Sequence, residues 1–417
     1  MLIAGARQVG KTTLVTEALK ERPSLILNLA ELATLPQKID ATQSFQEFEE
    51  LLWREYNFKP SQNVVLVFDE AQESKKLGSW VRFFKEKWTN QKVILLGSIL
   101  SRLFDEETPY PVGRVEEIIL RPFTFKEYLL AVKRQGLIEL MEKTTFEKPL
   151  SETQKQSLIP PYLDYLQTGG MPEVVLKTIN GVELPHIAWD KLLRQYSLDV
   201  ERYLGEIFRN LFMTALDRMA DVTCHPVKMS QLISTHSPSY RKIPKLLEVL
   251  EKWHLVHRIS AQTRHPESAG GMASKRYLFD VGLTHFFINR MGRIEWKERG
   301  DVGNLIYPKL QENFVCNELM ASAPYATTSL NYYKENQNSR EIDFVFFGEK
   351  EWIPIEVKSQ SGFSRNSLLP MIHFLESRNL KKGVLVYNGK MKRIRHRGKD
   401  ICAMPPFLVS EISRLVS

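Results

Sequence analysis

One short stretch near the start of the chain constrains the fold more than any other. Residues 5–13 read Gly-Ala-Arg-Gln-Val-Gly-Lys-Thr-Thr and match the pattern G-x-x-x-x-G-K-[ST] at every required position. A short apolar segment, Leu2–Ala4, precedes this stretch, and a helix is predicted to follow from Thr12 to Lys20. A strand, a glycine-containing loop and a helix in this order predict a phosphate-binding loop in an α/β fold with a parallel sheet.

The residue types of this loop fit the binding of a nucleotide. Gly5 and Gly10 allow the backbone to curl so that its N–H groups point into one concavity. We expect Lys11 to reach the β- and γ-phosphates of ATP and the Thr12 hydroxyl to ligate Mg²⁺. A glycine-rich turn without a ligand is the alternative. The residues predicted to contact the nucleotide are Gly5, Ala6, Arg7, Gln8, Val9, Gly10, Lys11, Thr12 and Thr13.

A second apolar run ends in two carboxylates. Residues 64–68 read Val-Val-Leu-Val-Phe, as in a parallel strand that is buried on both faces, and Asp69 and Glu70 follow directly. In a doubly wound sheet, ligands bind at the carboxyl ends of the strands. Asp69 is therefore predicted to hold Mg²⁺ and Glu70 to orient and polarise the attacking water. Without the phosphate loop, the same pair would indicate only the acidic start of a helix.

Two further residues are candidates for sensing or stabilising the γ-phosphate. Ser98 follows a third predicted strand, Lys92–Gly97, and could contact the phosphate or cap the next helix. Arg114 comes later and could neutralise charge in the transition state of phosphoryl transfer. It could equally be an ordinary surface residue. Lys11, Glu70 and Arg114 are thus the predicted catalytic residues.

Five segments carry a resemblance to a known family: Gly5–Thr12, Phe68–Gln72, Gly97–Ser98, Pro111–Val115 and Leu120–Tyr128. In these segments the chain resembles bacterial and archaeal ATPases of the AAA superfamily, which join a P-loop domain to a C-terminal restriction-endonuclease-like domain of unknown function. The resemblance implies that Ser98 is the sensor residue and that Arg114 is a candidate arginine finger, in cis or in trans. This chain has Leu96 where the relatives usually have Thr.

The middle of the chain is predicted to be helical. Two prolines, Pro160 and Pro161, indicate a boundary, and Gly169–Glu173 matches a Gly-Gly-Met-Pro-Glu signature of the same family. Residues 226–259 have the spacing of a helix-turn-helix, and two strands at 255–263 and 275–280 are predicted to form the wing of a winged helix. Its longer helix could meet DNA through Arg241, Lys242 and Lys245, or could pack against protein instead.

The C-terminal part presents a second constellation. Alternation along two apolar strands places Asp343 on one strand and Glu356 and Lys358 together on the next. Two carboxylates can bind Mg²⁺ while the lysine positions a water or steadies a phosphate. This resembles the Asp…Glu-x-Lys arrangement of the restriction-endonuclease-like fold, in which Glu312 matches a further acidic position. A solvated strand face with a Glu/Lys ion pair is the alternative.

Charge and composition bound the partners and the compartment. The formal net charge of +8 makes a polyanion partner plausible, and nine Lys or Arg residues with no Asp or Glu lie between Arg378 and Lys399. These cations could contact a phosphate backbone or form a solvated turn. The three cysteines are far apart, and the chain has neither a leader pattern nor an apolar run long enough for a membrane. We therefore expect a cytoplasmic protein, with DNA, a protein partner or a homo-oligomer as possible assemblies.

Four domains are predicted in chain order. They are an ATPase domain at 1–135, a helical connector at 136–220, a winged-helix-like domain at 221–295 and a restriction-endonuclease-like α/β domain at 296–417. The predicted function is ATP hydrolysis coupled to a nuclease-like domain on nucleic acid. The alternative is a nucleotide-dependent switch that recruits a protein partner and has an inert nuclease-like domain.

Overall fold

The fold is described from a computed structural model. It describes residues 1–60, 63–104, 108, 110–111, 113–263, 272–290, 308–322, 330–335, 341–347 and 351–416. The chain divides into two compact units, one made mainly of Met1–Arg121 and the other mainly of Pro122–Ser417. The predicted start of the C-terminal domain at residue 296 lies outside the described residues.

The first unit is built on a five-stranded parallel sheet, as the sequence predicts. Its strand order is β2-β3-β4-β1-β5. All five residues of β3 are buried, as its unbroken apolar run requires. Because the strands are parallel, the segments that follow β1, β3 and β4 lie together at one end of the sheet, where the carboxyl ends of the strands meet. We call this end the carboxyl edge of the sheet. The strands are β1 (Leu2–Ala4), β2 (Ser24–Asn28), β3 (Val65–Asp69), β4 (Val93–Gly97) and β5 (Glu117–Ile119).

An aromatic core covers this sheet. The rings of Phe84 and Trp88 stack with centroids 5.0 Å apart, and Phe45, Phe48 and Trp80 pack around them. Burial of each such ring contributes about 1.5–3 kcal/mol to the free energy of folding. The core therefore anchors the helices that surround the sheet: α1 (Lys11–Ala18), α2 (Leu35–Ala41), α3 (Phe45–Tyr56) and α4 (Leu77–Glu86).

The second unit begins with a series of helices. The predicted boundary at Pro160 and Pro161 is wrong, because both prolines lie inside one helix, α7 (Glu152–Thr168). A capping box at Ser151 starts this helix, and its fully buried face outweighs the hydrogen bonds that the prolines remove. The helices are α5 (Phe125–Ala131), α6 (Gln135–Lys143), α7 (Glu152–Thr168), α8 (Pro172–Ile179), α9 (Pro185–Leu204), α10 (Glu206–Val222), α11 (Met229–Leu232), α12 (Ile243–Lys252), α13 (Val281–Arg290), α14 (Pro308–Ala321), α15 (Leu369–Ser377) and α16 (Ile412–Val416).

The glycine pair between α7 and α8 has a packing reason. Gly169 has a φ of +78°, and a Cβ at this position would lie 1.9 Å from Oδ1 of the buried Asp280. The Gly170 N–H donates to Oδ2 of the same carboxylate at 2.8 Å. The Gly-Gly-Met-Pro-Glu signature is therefore a turn that is fixed on a buried aspartate.

The second unit ends in an eight-stranded mixed sheet with the order β12-β13-β11-β10-β9-β8-β6-β7. A buried apolar layer under α15 packs against it. The strands are β6 (Val256–Gln262), β7 (Lys275–Leu278), β8 (Asn331–Lys334), β9 (Glu341–Phe347), β10 (Trp352–Lys358), β11 (Lys382–Tyr387), β12 (Lys392–His396) and β13 (Lys399–Met404).

The predicted wing is part of this sheet. Strands β6 and β7 form the expected antiparallel hairpin, but β6 also pairs in parallel with β8, with Ser260 opposite Asn331. The second edge of β6 would otherwise present unpaired backbone groups, which explains why it joins the sheet. The hairpin thus belongs to a larger sheet, and the winged helix and the four predicted domain ranges remain predictions. Within the described ranges, the helices are too short or too polar to cross a membrane.

Candidate functional site

The phosphate loop lies at the carboxyl end of β1, and its backbone has the conformation that its glycines allow. Gly5 has a φ of +149°, and a Cβ there would lie 2.3 Å from the Leu120 carbonyl oxygen. Gly10, at a φ of +95°, immediately precedes α1, and Gln8 also has a positive φ. No larger residue could take the position of Gly5 without moving the backbone of Leu120. The loop therefore depends on its glycines.

Lys11 is buried against the loop. Its Nζ donates to the carbonyl oxygens of Gly5 at 3.0 Å and of Ala6 at 2.9 Å. Burial lowers the pKa of Lys11 to about 8, although the nearby Glu70 and Asp69 carboxylates act in the opposite direction. Among the described residues, the ammonium thus donates to two neutral carbonyls, and its charge is available to an anion in the loop.

The two predicted magnesium ligands lie side by side. Thr12 Oγ1 donates to Asp69 Oδ2 at 2.6 Å, and the Glu70 N–H donates to Asp69 Oδ1 at 2.9 Å. This contact joins the phosphate loop to the end of β3, 57 residues further along the chain. A hydroxyl and a carboxylate at this spacing are oxygen ligands of the kind that Mg²⁺ takes, together with substrate phosphates. The donor set therefore fits the metal that the motif implies.

Glu70 has a constrained backbone and a neighbouring donor. Its φ is +51°, and the short 3₁₀ turn Ala71–Glu73 follows it. The amide nitrogen of Gln72 donates to Glu70 Oε2 at 2.5 Å. Glu70 thus lies at the same edge of the sheet as Lys11 and Thr12, where the sequence predicts it. Gln72 was not predicted as a functional residue, although it stands only two residues beyond Glu70.

The two γ-phosphate candidates lie at different places. Ser98 follows β4, whose last residue pairs with Ala4 of β1, so it lies at the same edge as the loop. Arg114 precedes β5, whose first residue pairs with Leu2 at the amino end of β1. There it forms a half-exposed ion pair with Glu86, at 3.2 Å from Nη2 to Oε1. The parallel register thus places Arg114 at the end of the sheet opposite to the phosphate loop, and its predicted role, in cis or in trans, stays a prediction.

The four residues of the predicted nuclease-like site do converge. Glu312 lies on α14, Asp343 on β9, and Glu356 and Lys358 on β10. Asp343 Oδ2 accepts the Val357 N–H at 2.9 Å, and the Lys358 ammonium donates to Glu356 Oε1 at 2.5 Å. The alternation of the two strands therefore predicted the proximity of these side chains correctly.

An unpredicted lysine lies among these carboxylates. Lys275 of β7 is fully buried, and its Nζ lies 3.3 Å from Glu312 Oε1, 3.0 Å from Glu341 Oε1 and 3.6 Å from Asp343 Oδ1. Tyr277, two residues along the same strand, donates its hydroxyl to Glu312 at 2.6 Å. The alternation of β7 was the only available signal for this pair, and nothing local links β7 to the carboxylates.

This cluster is an ion-pair network in the structure. Burial and the Asp343 charge raise the pKa of Glu312 to about 7 and that of Glu356 to about 8. For Lys275 burial acts downward, but the three carboxylates outweigh it and raise the pKa well above its usual value. Among the described residues, no three His, Cys, Asp or Glu side chains are arranged to hold a metal ion. The predicted site of Asp343 and Glu356 needs only two carboxylates, so it stays a prediction, and the Lys275 ammonium lies 3.6 Å from Asp343 Oδ1.

Three models of protein families match successive parts of the chain. Residues 1–129 match a family model described as an AAA domain. Residues 160–293 and 308–407 match two models, each described as a domain of unknown function. An uncharacterized protein of Methanocaldococcus jannaschii is 22% identical over an alignment of 409 residues, which covers 93% of this chain and 80% of that protein.

Two solved structures give weaker likenesses. The Walker-type ATPase of Pyrococcus abyssi has a TM-score of 0.41 and 19% identity, over 69% of this chain and 90% of that chain. The Orc1 protein of Aeropyrum pernix, in complex with DNA, has a TM-score of 0.28 and 13% identity, over 69% and 86%. Residues 1–129 are thus similar to AAA domains, and in this part of the chain the phosphate loop contacts the acidic end of β3 through Thr12 and Asp69.

Proposed function

We propose that this chain is an Mg²⁺-dependent ATPase. The hydrogen bond between Thr12 and Asp69 carries this proposal, because it brings the phosphate loop and the acidic end of β3 to one point. When bound, the metal ion supplies positive charge to the β- and γ-phosphate oxygens. Thr12 and Asp69 would hold it, and the loop backbone from Gly5 to Thr13 would cradle the phosphates.

The other proposed roles in ATP hydrolysis belong to side chains of the protein. Lys11 exchanges its two carbonyl contacts for phosphate oxygens, which satisfy its charge better than neutral acceptors do. Glu70 orients the attacking water and accepts its proton. Ser98 lies at the same edge and is proposed to contact the γ-phosphate. Stabilisation of transition-state charge by Arg114 would require a second copy of the chain, since Arg114 lies at the far edge of its own sheet.

ATP turnover as a function of metal tests this proposal. Wild-type protein should hydrolyse ATP with Mg²⁺ and should stop when EDTA is added. Asp69→Asn should lower the turnover by at least about tenfold, since it weakens a metal ligand. Asp190→Asn removes a carboxylate from an exposed surface pair and should leave the rate unchanged. Metal-independent turnover, or equal rates in both variants, would contradict the proposal.

We propose that the C-terminal part acts by binding rather than by cleavage. The buried Lys275 ammonium lies 3.0 Å from Glu341 Oε1 and 3.6 Å from Asp343 Oδ1, and we propose that this cation leaves the cluster inert as a nuclease. Nucleic acid remains the proposed partner because of one exposed feature. The strand β12 and its turn carry Lys392, Arg393, Arg395 and Arg397, all exposed at the edge of the sheet.

Salt dependence distinguishes this partner from the alternative. Duplex DNA should bind with an affinity that falls steeply with salt concentration. Combining Arg395→Ala with Arg397→Ala should reduce the slope of log K against log salt by about 0.9 for each lost phosphate contact. The matched control, Lys133→Ala combined with Lys143→Ala, should leave this slope unchanged. If wild type does not bind DNA but still binds ATP, a nucleotide-dependent switch for a protein partner becomes the better account.

A further inference from the structure

Gln72 has an unusual environment for a buried side chain. Only 5% of the residue is exposed, and its Nε2 donates to Glu70 Oε2 at 2.5 Å. Its Oε1 is buried and has no hydrogen-bond partner within the described part of the chain. The opposite orientation of the amide would place two oxygens together, so the contact with Glu70 fixes which end is the donor. The amide nitrogen of Gln72 is thus hydrogen-bonded to Glu70, and the amide oxygen has no hydrogen-bond partner among the described residues.

The unsatisfied end lies against the segment that carries the proposed sensor. A Cβ on Gly97 would be 2.2 Å from Gln72 Oε1 and 2.7 Å from Leu100 Cδ2. Gly97 therefore leaves the space that the amide occupies, and Ser98 is the next residue. A single amide thus contacts the proposed water-activating carboxylate and borders the end of β4.

Packing alone does not explain a glutamine at this position. A buried amide oxygen without a partner destabilises a fold relative to an apolar side chain of similar size. Leucine or methionine would fill the same space without an unsatisfied oxygen. Among the described residues, the side chain makes one contact that an apolar residue could not make, the hydrogen bond to Glu70.

We infer that Gln72 is a positioning residue for ATP hydrolysis. It binds one oxygen of the Glu70 carboxylate, so that the other oxygen faces the attacking water in a fixed orientation. The amide oxygen of Gln72 lies beside Gly97. The orientation of Glu70 therefore depends on the position of the turn that contains Ser98. This inference rests on the proposed ATPase function, because it assigns a role toward Glu70 within that site.

A double-mutant cycle tests the inference. Gln72→Leu should lower kcat about 10- to 100-fold, part of what a general base contributes, and should change the Kd of a fluorescent ATP analogue less than threefold. Glu70→Gln should lower kcat further. Because Gln72 acts only through Glu70, the double variant should be as slow as Glu70→Gln alone. Gln72→Met, which is unbranched, serves as a second variant if the leucine disturbs folding, and thermal unfolding checks both.

Three outcomes would overturn the inference. The first is a kcat unchanged in both Gln72→Leu and Gln72→Met. The second is multiplication of the separate effects in the double variant, which would show a role independent of Glu70. The third is loss of nucleotide binding together with turnover, which would show a structural role. A wild type without ATP turnover would overturn the proposed function as well, whereas turnover that needs Glu70 but not Gln72 overturns this inference alone.

Discussion

Lys11 and Lys275 are both buried near acidic residues, and their surroundings differ in an instructive way. Lys11 donates to two neutral carbonyl oxygens, and burial lowers its pKa to about 8. Lys275 lies within 3.6 Å of three carboxylates, which raise its pKa despite its burial. Within the part of the chain that the structure describes, the first ammonium donates to carbonyls and no carboxylate, whereas the second lies among three carboxylates. A lysine in an acidic cluster thus indicates a ligand site only when its charge is left to be satisfied.

The largest expected effects come from removing each ammonium. Lys275→Met should destabilise the folded state by about 3–5 kcal/mol, because it leaves buried carboxylates without their cation. Lys11→Met should change stability little but weaken ATP binding about 10- to 100-fold, as expected for loss of charged hydrogen bonds. Urea unfolding and titration with a fluorescent ATP analogue measure the two effects. The comparison would be contradicted if Lys11→Met lowered the free energy of unfolding and left ATP binding intact, while Lys275→Met weakened ATP binding and left stability unchanged.

The pH dependence of stability sharpens the account of the cluster around Lys275. Glu312 and Glu356 have folded-state pKa values of about 7 and 8, above the usual value for glutamate. The folded state therefore keeps protons that the unfolded state releases above about pH 4.5. Their stabilising contribution is present at low pH and is lost as the pH rises through 7 and 8. We expect a fall of at most about 1.4 kcal/mol per pH unit for each group.

Thermal unfolding midpoints from pH 5 to pH 8 measure this dependence. Glu356→Gln should flatten the curve, since it removes one of the two titrating groups. The exposed Glu139→Gln is the matched control and should leave the curve unchanged. A wild-type stability that rises over this range would contradict the assignment of raised pKa values.

The smallest expected effect is that of Arg114→Ala. Its ion pair with Glu86 is half exposed, so its loss should change stability by less than about 1 kcal/mol. In dilute protein, ATP turnover should stay within about twofold of wild type, because Arg114 lies at the far edge of the sheet. A large loss that appears only at high protein concentration would indicate an arginine supplied in trans. A large loss in dilute protein would contradict the placement.

What could be predicted from the sequence was local. The phosphate loop, the buried strand before Asp69 and the convergence of Asp343 with Glu356 all follow from motifs and alternation within a few residues. The parallel sheet then brings the ends of its strands together without further information. These parts of the fold and of the site depend on short-range pattern and one general rule of topology.

What could not be predicted depended on distant pairings. Lys275 reaches the carboxylates because β6 pairs with β8 about 70 residues away, and no local pattern specifies that register. The position of Arg114 could not be predicted for a similar reason, since it depends on which end of β5 pairs with β1. The two prolines of α7 were misread because the burial of one helix face outweighs their local preference.

The most direct test of the central claim is the ATP turnover of Glu70→Gln, measured with and without DNA beside a binding assay for the same protein. Glutamine keeps the shape of the side chain but cannot accept the proton of the attacking water. We expect kcat to fall at least about 100-fold, while the affinity for ATP with Mg²⁺ stays within about threefold of wild type. Turnover equal to wild type, with nucleotide binding intact, would contradict the account.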